Sequence, residues 1–478
     1  MSADDNHESS SNALVPRPGT GLAETGRRTH PVLARMSRDL LARAEAQGLS
    51  TARYRLGTYV LREPDYRQIL DWAEALGEAP EWVLAQLEES RLDPIQDDQS
   101  YEVLDPISFV VQDGSIHSLV WDFDRLPFQP EWQNGLLLHT LGLKGAWLES
   151  QKVFGPNLAK LQTLYCRKLG LTQLDLSGTP ELRELCCWGN QLHALDLSPV
   201  KGLTILACGQ NQLSKLDLSP VQKLTQLACQ DNRLTELDLS PVKGLTILAC
   251  GQNQLSKLDL SPVRKLTQLA CQDNQLTELD LSPVLSLSLL TCRGNRLAKL
   301  NLTPMPELTK LDCSCNCLTE LDIKSASGLT LLVCGSNQLT KLDLTPVLGL
   351  TELDCKKNKL TKLNLKPVTE LTLLDCYDNQ ITKLDLNPVP RLNFLHCGGN
   401  YLTKLDLTPV PELTALGCGG NQLSKLDLTP VPKLATLGCK WNKFRKLDLT
   451  PVPDLTEIWC DKSVSLINAP ANLKVHRQ

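Results

Sequence analysis

The cysteines have the most chemically versatile side chains in this sequence. Fifteen of its 18 cysteines recur every 21 residues from Cys166 to Cys460. A column of thiols could bind metal ions or form disulfides. On parallel strands, however, Cβ atoms point the same way at about the 4.8 Å strand spacing and do not converge to the roughly 3.8 Å of a disulfide. The spacing therefore predicts a buried column of small apolar side chains, without metal or cofactor.

Two further thiols close to the column residue Cys313 test this prediction locally. Cys313, Cys315 and Cys317 alternate along the chain, which makes a poor tetrahedral metal site. Only Cys315 is well placed to be exposed.

A second chemical possibility comes from Asp354, Asp375 and His396, which occupy equivalent positions in successive copies of the repeat. Two carboxylates and an imidazole on neighbouring strands could bind a metal ion or transfer protons. No nucleophile or glycine-rich phosphate loop accompanies them. The sequence therefore predicts a protein without catalytic activity.

These residues must be positioned by the repeat itself. Each copy reads L-x-x-L-x-C-x-x-N-x-L-x-x-L-D-L-[S/T]-P-V, as in residues 203–221. Strict phasing without insertions is typical of a solenoid. Both half-repeats end in apolar alternation with period two, which predicts two short strands per turn, and the recurrent proline leaves no room for a helix. The asparagine column is expected to bond turn backbone groups, and the aspartate column to cap them.

The pattern resembles the leucine-rich repeat family, in particular its short 21-residue bacterial class, known as IRREKO, with cysteine at the third leucine position. The likeness covers about residues 158–463. It implies a β-rich parallel solenoid of about fifteen turns that serves as a protein-recognition surface. The ligand stays open, because members of the wider family share their architecture and bind unrelated partners.

Candidate binding residues lie where the copies differ. Residues 200–241 recur at 242–283 with two changes, and their outward strand positions carry alanine, glycine, glutamine and isoleucine. Later copies carry charged and aromatic residues, although aromatic residues make up only 4% of the chain. Such residues favour a contact surface for a protein partner. The predicted partner-binding residues are Asp312, Glu352, Asp354, Asp375, Tyr377, Phe394, His396, Trp441 and Trp459.

A column of lysines leaves two alternatives open. Six consecutive copies carry lysine just before Leu-Asp-Leu, from Lys341 to Lys446. Like charges on adjacent strands repel each other. The column is therefore either a solubility feature or a docking stripe for an acidic partner.

The regions outside the repeats predict four further segments: a tail, a helical domain and two caps. Residues 1–28 are polar and predict a disordered tail, and residues 29–98 have the periodicity of a small helical domain. Residues 99–157 predict a divergent N-terminal cap and residues 464–478 a C-terminal cap, since terminal turns must cover an exposed edge.

An alternative function rests on the N-terminal helices. Residues 16–70 contain ten arginines, no lysine and five acidic residues, and residues 72–87 resemble the closing helices of small bacterial helix-turn-helix domains. A DNA-binding or defence-type regulator, with the repeats sensing a ligand, is therefore possible. Residues 50–64 lack the character of a recognition helix, since they contain Gly57 and three β-branched residues.

Charge and hydropathy indicate the compartment in which the protein acts. The net charge is -5, which gives no general attraction to DNA or anionic membranes. The N-terminal sequence lacks the apolar core of a secretory signal, and no run of about 18 apolar residues is present. These features predict a cytoplasmic protein with reduced thiols that binds no membrane. Its oligomeric state stays open.

Overall fold

The computed structural model describes residues 161–477, except Leu169 and Pro304, and before them only Leu70 and the backbone of four strands. The predicted tail, residues 1–28, lies outside the described residues, as does nearly all of the predicted helical domain, residues 29–98. Two compact units are present, residues 1–224 and 225–478.

In the first unit the structure describes two hairpins and, after them, the first repeat turns. Strands β1 and β2 pair antiparallel, as do β3 and β4, and β4 continues in parallel through β5, β6 and β7. Residues 99–157 are described only through the β3–β4 hairpin, so their role as a cap stays a prediction. The strands are β1 (Arg53–Leu56), β2 (Tyr59–Arg62), β3 (Ile107–Gln112), β4 (Ser115–Asp122), β5 (Thr163–Arg167), β6 (Glu184–Cys186) and β7 (Ile205–Ala207).

The second unit is a parallel solenoid with one strand per turn. Strands β8 to β18, and then β20, pair in parallel with an offset of 21 residues, as Leu353 with Leu374. The strands are β8 (Gln226–Ala228), β9 (Ile247–Ala249), β10 (Gln268–Ala270), β11 (Leu289–Thr291), β12 (Lys310–Asp312), β13 (Leu331–Val333), β14 (Glu352–Asp354), β15 (Leu373–Asp375), β16 (Phe394–His396), β17 (Ala415–Gly417), β18 (Thr436–Gly438), β19 (Lys446–Asp448), β20 (Glu457–Cys460), β21 (Ser465–Ile467) and β22 (Lys474–Arg477).

The prediction of two strands per turn is wrong for most described turns. Among the second half-repeats that the structure describes, β19 alone forms a strand, and it pairs with β21. The apolar alternation is real, since Leu342 and Leu344 are buried. However, the carboxylate of Asp343 accepts a hydrogen bond from the main-chain N–H of Thr345 at 3.0 Å, and the next residue is proline. This aspartate turn bends the chain before a strand ladder can form.

The predicted cysteine and asparagine ladders are confirmed. Sixteen of the 18 free cysteines are buried. Burial raises the pKa of Cys271 and of Cys418 to about 12, so both thiols stay neutral. Each ladder asparagine spans two turns: Asn358 Nδ2 donates to the carbonyls of Cys334 and Cys355 at 3.1 Å, and its Oδ1 accepts from Leu339 N–H at 2.9 Å.

One cysteine prediction needs correction. Both Cys315 and Cys317 are exposed, whereas the sequence predicted exposure of Cys315 alone. Cys315 adopts a left-handed backbone with φ of 55°. This conformation interrupts the strand alternation on which the prediction depended, so Cys317 also turns outward.

The last turns depart from the 21-residue period. Val475 in β22 pairs with Ile458 in β20, an offset of 475 − 458 = 17 residues. All residues of β22 are exposed. The role of residues 464–478 as a C-terminal cap stays a prediction.

Candidate partner-binding face

Strand register gathers most of the predicted site residues on one face. The residues immediately before each cysteine form one column, and those three before form a second. The first column runs through Asp312, Val333, Asp354, Asp375, His396, Gly417, Gly438 and Trp459. The second column includes Glu352 and Phe394. We call the outward residues of β12 to β18 and β20, with the two residues that follow each cysteine, the divergent face.

A chain of charged side chains crosses three turns of the divergent face. Lys356 Nζ lies 2.6 Å from Asp354 Oδ2 and 3.6 Å from Asp375 Oδ2. Asp375 Oδ1 lies 3.4 Å from Nδ1 of His396 and accepts a hydrogen bond from the main-chain N–H of Tyr377 at 3.0 Å. The two aspartate side chains are only 16% and 14% exposed. The cluster is thus a network of mutually paired side chains rather than a set of isolated charges.

The network also shifts the pKa values of two of its members, Asp375 and Lys356. Burial acts to raise the pKa of Asp375, but hydrogen bonds from His396 and Tyr377 and the charges of His396 and Lys356 outweigh it, so the pKa lies below its ordinary value. The hydrogen bond to Asp354 raises the pKa of Lys356 against the opposing effect of burial. Asp375 and Lys356 therefore remain an ion pair at neutral pH.

This arrangement leaves little room for the metal or acid–base chemistry considered from the sequence. The ammonium group of Lys356 lies between the carboxylates of Asp354 and Asp375, where it would repel a bound cation. Within the described residues, no group of three histidine, cysteine or acidic side chains could hold a metal ion.

Aromatic rings lie on both sides of a glycine-rich part of the face. Tyr377 and His396 stack with ring centroids 4.7 Å apart, and Trp459 and His476 stack at 4.8 Å. A Cβ atom on Gly417 would clash with Cδ2 of His396. Glycine at 417 therefore allows the His396 ring to lie over the backbone of the next turn.

Five predicted site residues lie outside the charged network: Asp312, Glu352, Phe394, Trp441 and Trp459. Asp312 accepts hydrogen bonds from the main chain and hydroxyl of Ser314 in its own turn. Trp441 is not on a strand: it lies in the turn after β18 with φ of 57°, is 65% exposed, and donates its main-chain N–H to Asp461. Glu352 is exposed, two residues before Asp354.

Other residues of the face were not predicted from the sequence. Lys356 forms ion pairs with Asp354 and Asp375, and the ring of His476 stacks on that of Trp459. The signal for Lys356 was its position one residue after cysteine, two residues from Asp354. The tail that carries His476 breaks the repeat phase, so its position required the structure.

The fold and its ladders define a solenoid of the leucine-rich repeat class. One solved structure, the functional domain of InlJ from Listeria monocytogenes, described as including a cysteine ladder, is 33% identical in sequence and matches with a TM-score of 0.63. The match covers 68% of this chain and 70% of the InlJ chain. The chain belongs to the leucine-rich repeat family, and its 21-residue turn fits the short bacterial class.

Two further solved structures have the same fold. The leucine-rich repeat protein LIC12759 from Leptospira interrogans is 22% identical, with a TM-score of 0.60 over 68% of this chain and 91% of its own. YopM from Yersinia enterocolitica is 26% identical, with a TM-score of 0.52 over 66% and 68%. No protein-family profile matches the sequence. No curated protein matches it either.

One prediction about the membrane can be compared with the structure. In the part of the chain that the structure describes, no helical segment combines the length and the apolar character needed to span a bilayer.

Proposed function

We propose that this chain is a non-enzymatic recognition scaffold that binds a partner protein through the divergent face. The observation that carries the proposal is the concentration of paired charges and aromatic rings on β14 to β20. Interfaces are enriched in aromatic residues, and binding energy concentrates in a few of them. The absence of catalysis is part of the proposal, supported by the mutual pairing of Asp354, Lys356, Asp375 and His396.

The experiment that tests this proposal is affinity capture with two matched variants. The first combines Asp375→Ala, Tyr377→Ala and His396→Ala; the second combines Gln268→Ala, Gln272→Ala and Gln275→Ala in a uniform part of the same unit. We expect a protein that wild type and the glutamine variant retain equally and that the first variant retains about tenfold less, a loss of about 1.4 kcal/mol. Quantitative mass spectrometry measures retention, and circular dichroism checks the fold of each variant.

The proposal would be contradicted if no captured protein distinguished the first variant from wild type. DNA or protein retained only through residues 29–98 would instead favour the alternative regulator. That alternative rests on residues that lie nearly all outside the described part of the chain.

The proposal extends to a bacterial protein that acts in the cytoplasm. The similarity to bacterial proteins with the same turn supports the origin. The exposed free thiols of Cys315 and Cys317 support a reducing compartment, since exposed thiols are prone to oxidation elsewhere. Recovery of the protein from the cell surface or the culture medium would contradict the location.

A further inference from the structure

Gly438 is a glycine that the fold does not require. Its column carries alanine, threonine, aspartate, valine and histidine in earlier turns of the same unit. A Cβ atom on Gly438 would meet only Cα of Gly417 at 3.8 Å and the carbonyl of Leu416 at 3.9 Å, both ordinary contacts. Its φ lies outside the left-handed region. Since glycine in a strand costs about 0.5–1 kcal/mol relative to alanine, some other advantage must favour it.

The space above Gly438 is bounded by rings in both directions along the sheet. One turn earlier, the His396 ring lies over Gly417, with Tyr377 stacked behind it. One turn later, Trp459 pairs with Gly438 and has His476 stacked on its far side. Each stacked pair therefore leaves one ring face on the Gly438 side. We call this space the aromatic slot.

The width of the aromatic slot suits one planar group. From Gly417 to Trp459 there are two strand spacings, about 10 Å. A ring held between two others needs two stacking distances of about 4.5–7 Å each. One aromatic ring fits this gap, and its edge would rest on the bare backbone of Gly438.

The floor of the slot extends toward Trp441 through more glycine. Gly420 lies one turn before Trp441, and a Cβ atom on it would meet only main-chain atoms of Gly399. Gly420 adopts a φ of 63°, so the backbone itself favours glycine there. Trp441 itself is 65% exposed.

The hydrogen bonds and charges around the aromatic slot favour an uncharged ligand over an ion. The main-chain N–H groups of Cys418 and Gly420 already donate to the next turn, to Gly438 and Lys440 carbonyls at 2.7 and 2.8 Å. The floor therefore has no cluster of free donors for an anion. Asp375 is satisfied by His396 and Lys356, and Lys440 has an interaction partner of its own. Asp461 accepts a hydrogen bond from the main-chain N–H of Trp441. An uncharged ring can stack on the rings of this surface, whereas an ion would lose hydration beside charged groups that already have partners.

From these observations we propose that the aromatic slot takes one phenylalanine, tyrosine or tryptophan side chain of a partner protein. This inference rests on the proposed function and names the part of the partner that is recognised. Aromatic side chains in tight pockets are typical anchors of protein interfaces. The aromatic side chain of the partner would stack between His396 and Trp459. The charged network would contact polar residues of the partner that lie next to this side chain.

A random peptide library displayed on phage tests the inference with the full-length chain as target. The test variant is Gly438→Val, which places a side chain in the slot from a Cβ position that makes only ordinary contacts, and its match is Ala249→Val, which ends in the same side chain in the same column of a uniform turn. We expect peptides that require one aromatic residue, bind wild type and Ala249→Val equally, and bind Gly438→Val at least about tenfold more weakly. Thermal unfolding checks that both variants fold.

The outcomes separate this inference from the proposed function. Peptides that lose binding to the variant of Asp375, Tyr377 and His396 but need no aromatic residue, or need arginine instead, would overturn the slot and preserve the face. Peptides that ignore both variants, or no peptide binding at all, would overturn both. Binding confined to neutral sugars on a glycan array, lost in Gly438→Val, would replace the protein anchor with a carbohydrate.

Discussion

The turns that carry β8 to β11 and those that carry β14 to β20 have the same interior and different outward faces. In both groups the strand leucine and the cysteine are fully buried, as Leu248 with Cys250 and Leu374 with Cys376. Outward positions in the first group are mostly alanine, glutamine and isoleucine, whereas the second group carries the charged network and the stacked rings. Because the buried residues repeat, the outward residues can change without disturbing the core. We therefore seek binding residues among the outward positions that differ between turns.

A second contrast lies between the divergent face and the lysine column. The lysines at 341, 362, 383, 404, 425 and 446 are exposed, and five of the six have an aspartate two residues later, on the same side of an extended segment. Hydrogen bonds from the following threonine lower the pKa of Asp343, Asp406 and Asp427. Five of the six lysines therefore have a carboxylate nearby that is charged at neutral pH, which favours a solubility feature over a stripe for an acidic partner.

The largest expected effect is a loss in the free energy of unfolding when a ladder asparagine is replaced. It tests whether the interiors of the two groups of turns are equivalent. Asn253 and Asn358 make matching hydrogen bonds within the first and second group respectively. Replacing either by alanine leaves buried carbonyl and amide groups without partners, and we expect a loss of about 2–4 kcal/mol in each case. Urea unfolding measures the loss, with exposed Gln380→Ala as the control. A clear difference between Asn253→Ala and Asn358→Ala would show that the two interiors are not equivalent.

A smaller effect concerns the network that only the second group has. Lys356→Met removes the cation between Asp354 and Asp375, and we expect a loss of about 1 kcal/mol at pH 7, because the lysine is partly exposed and screened. The control is Lys357→Met, which removes the same charge from an exposed neighbour. Chemical unfolding of both variants measures the difference.

The same variant has a defined pH dependence. The pKa of Asp375 is lowered on folding, so its contribution to stability is present above the unfolded value of about 3.9 and is lost as the pH falls through the lower folded value. In Lys356→Met the pKa of Asp375 rises, and the loss begins at higher pH. The stability difference from wild type should therefore shrink below about pH 4. A constant difference from pH 7 to pH 3 would contradict the ion pair.

Features that repeat were predictable from the sequence, and those that depend on neighbours were not. The turn length and the buried cysteine and asparagine columns follow from periodic spacing alone. The second strand per turn was wrong, because alternation predicts which residues face inward but not whether a backbone ladder forms. Tyr377, His396 and Trp459 were singled out because aromatic residues are scarce. Their stacking required the structure, since His476 lies outside the repeat phase.

The smallest expected effect bears most directly on why the two groups of turns differ. Gly438→Val should stabilise the protein by about 0.5–1 kcal/mol, because the fold accepts a side chain there and glycine weakens a strand. Ala249→Val, in the same column of the first group, should change stability by less than about 0.5 kcal/mol, since alanine has already restricted the backbone. Thermal unfolding measures both.

A gain in stability with a loss of peptide binding would mean that Gly438 is retained against the preference of the fold, for the sake of the aromatic slot. If Gly438→Val were destabilising, the fold itself would require the glycine, and the missing side chain at position 438 would no longer point to a slot.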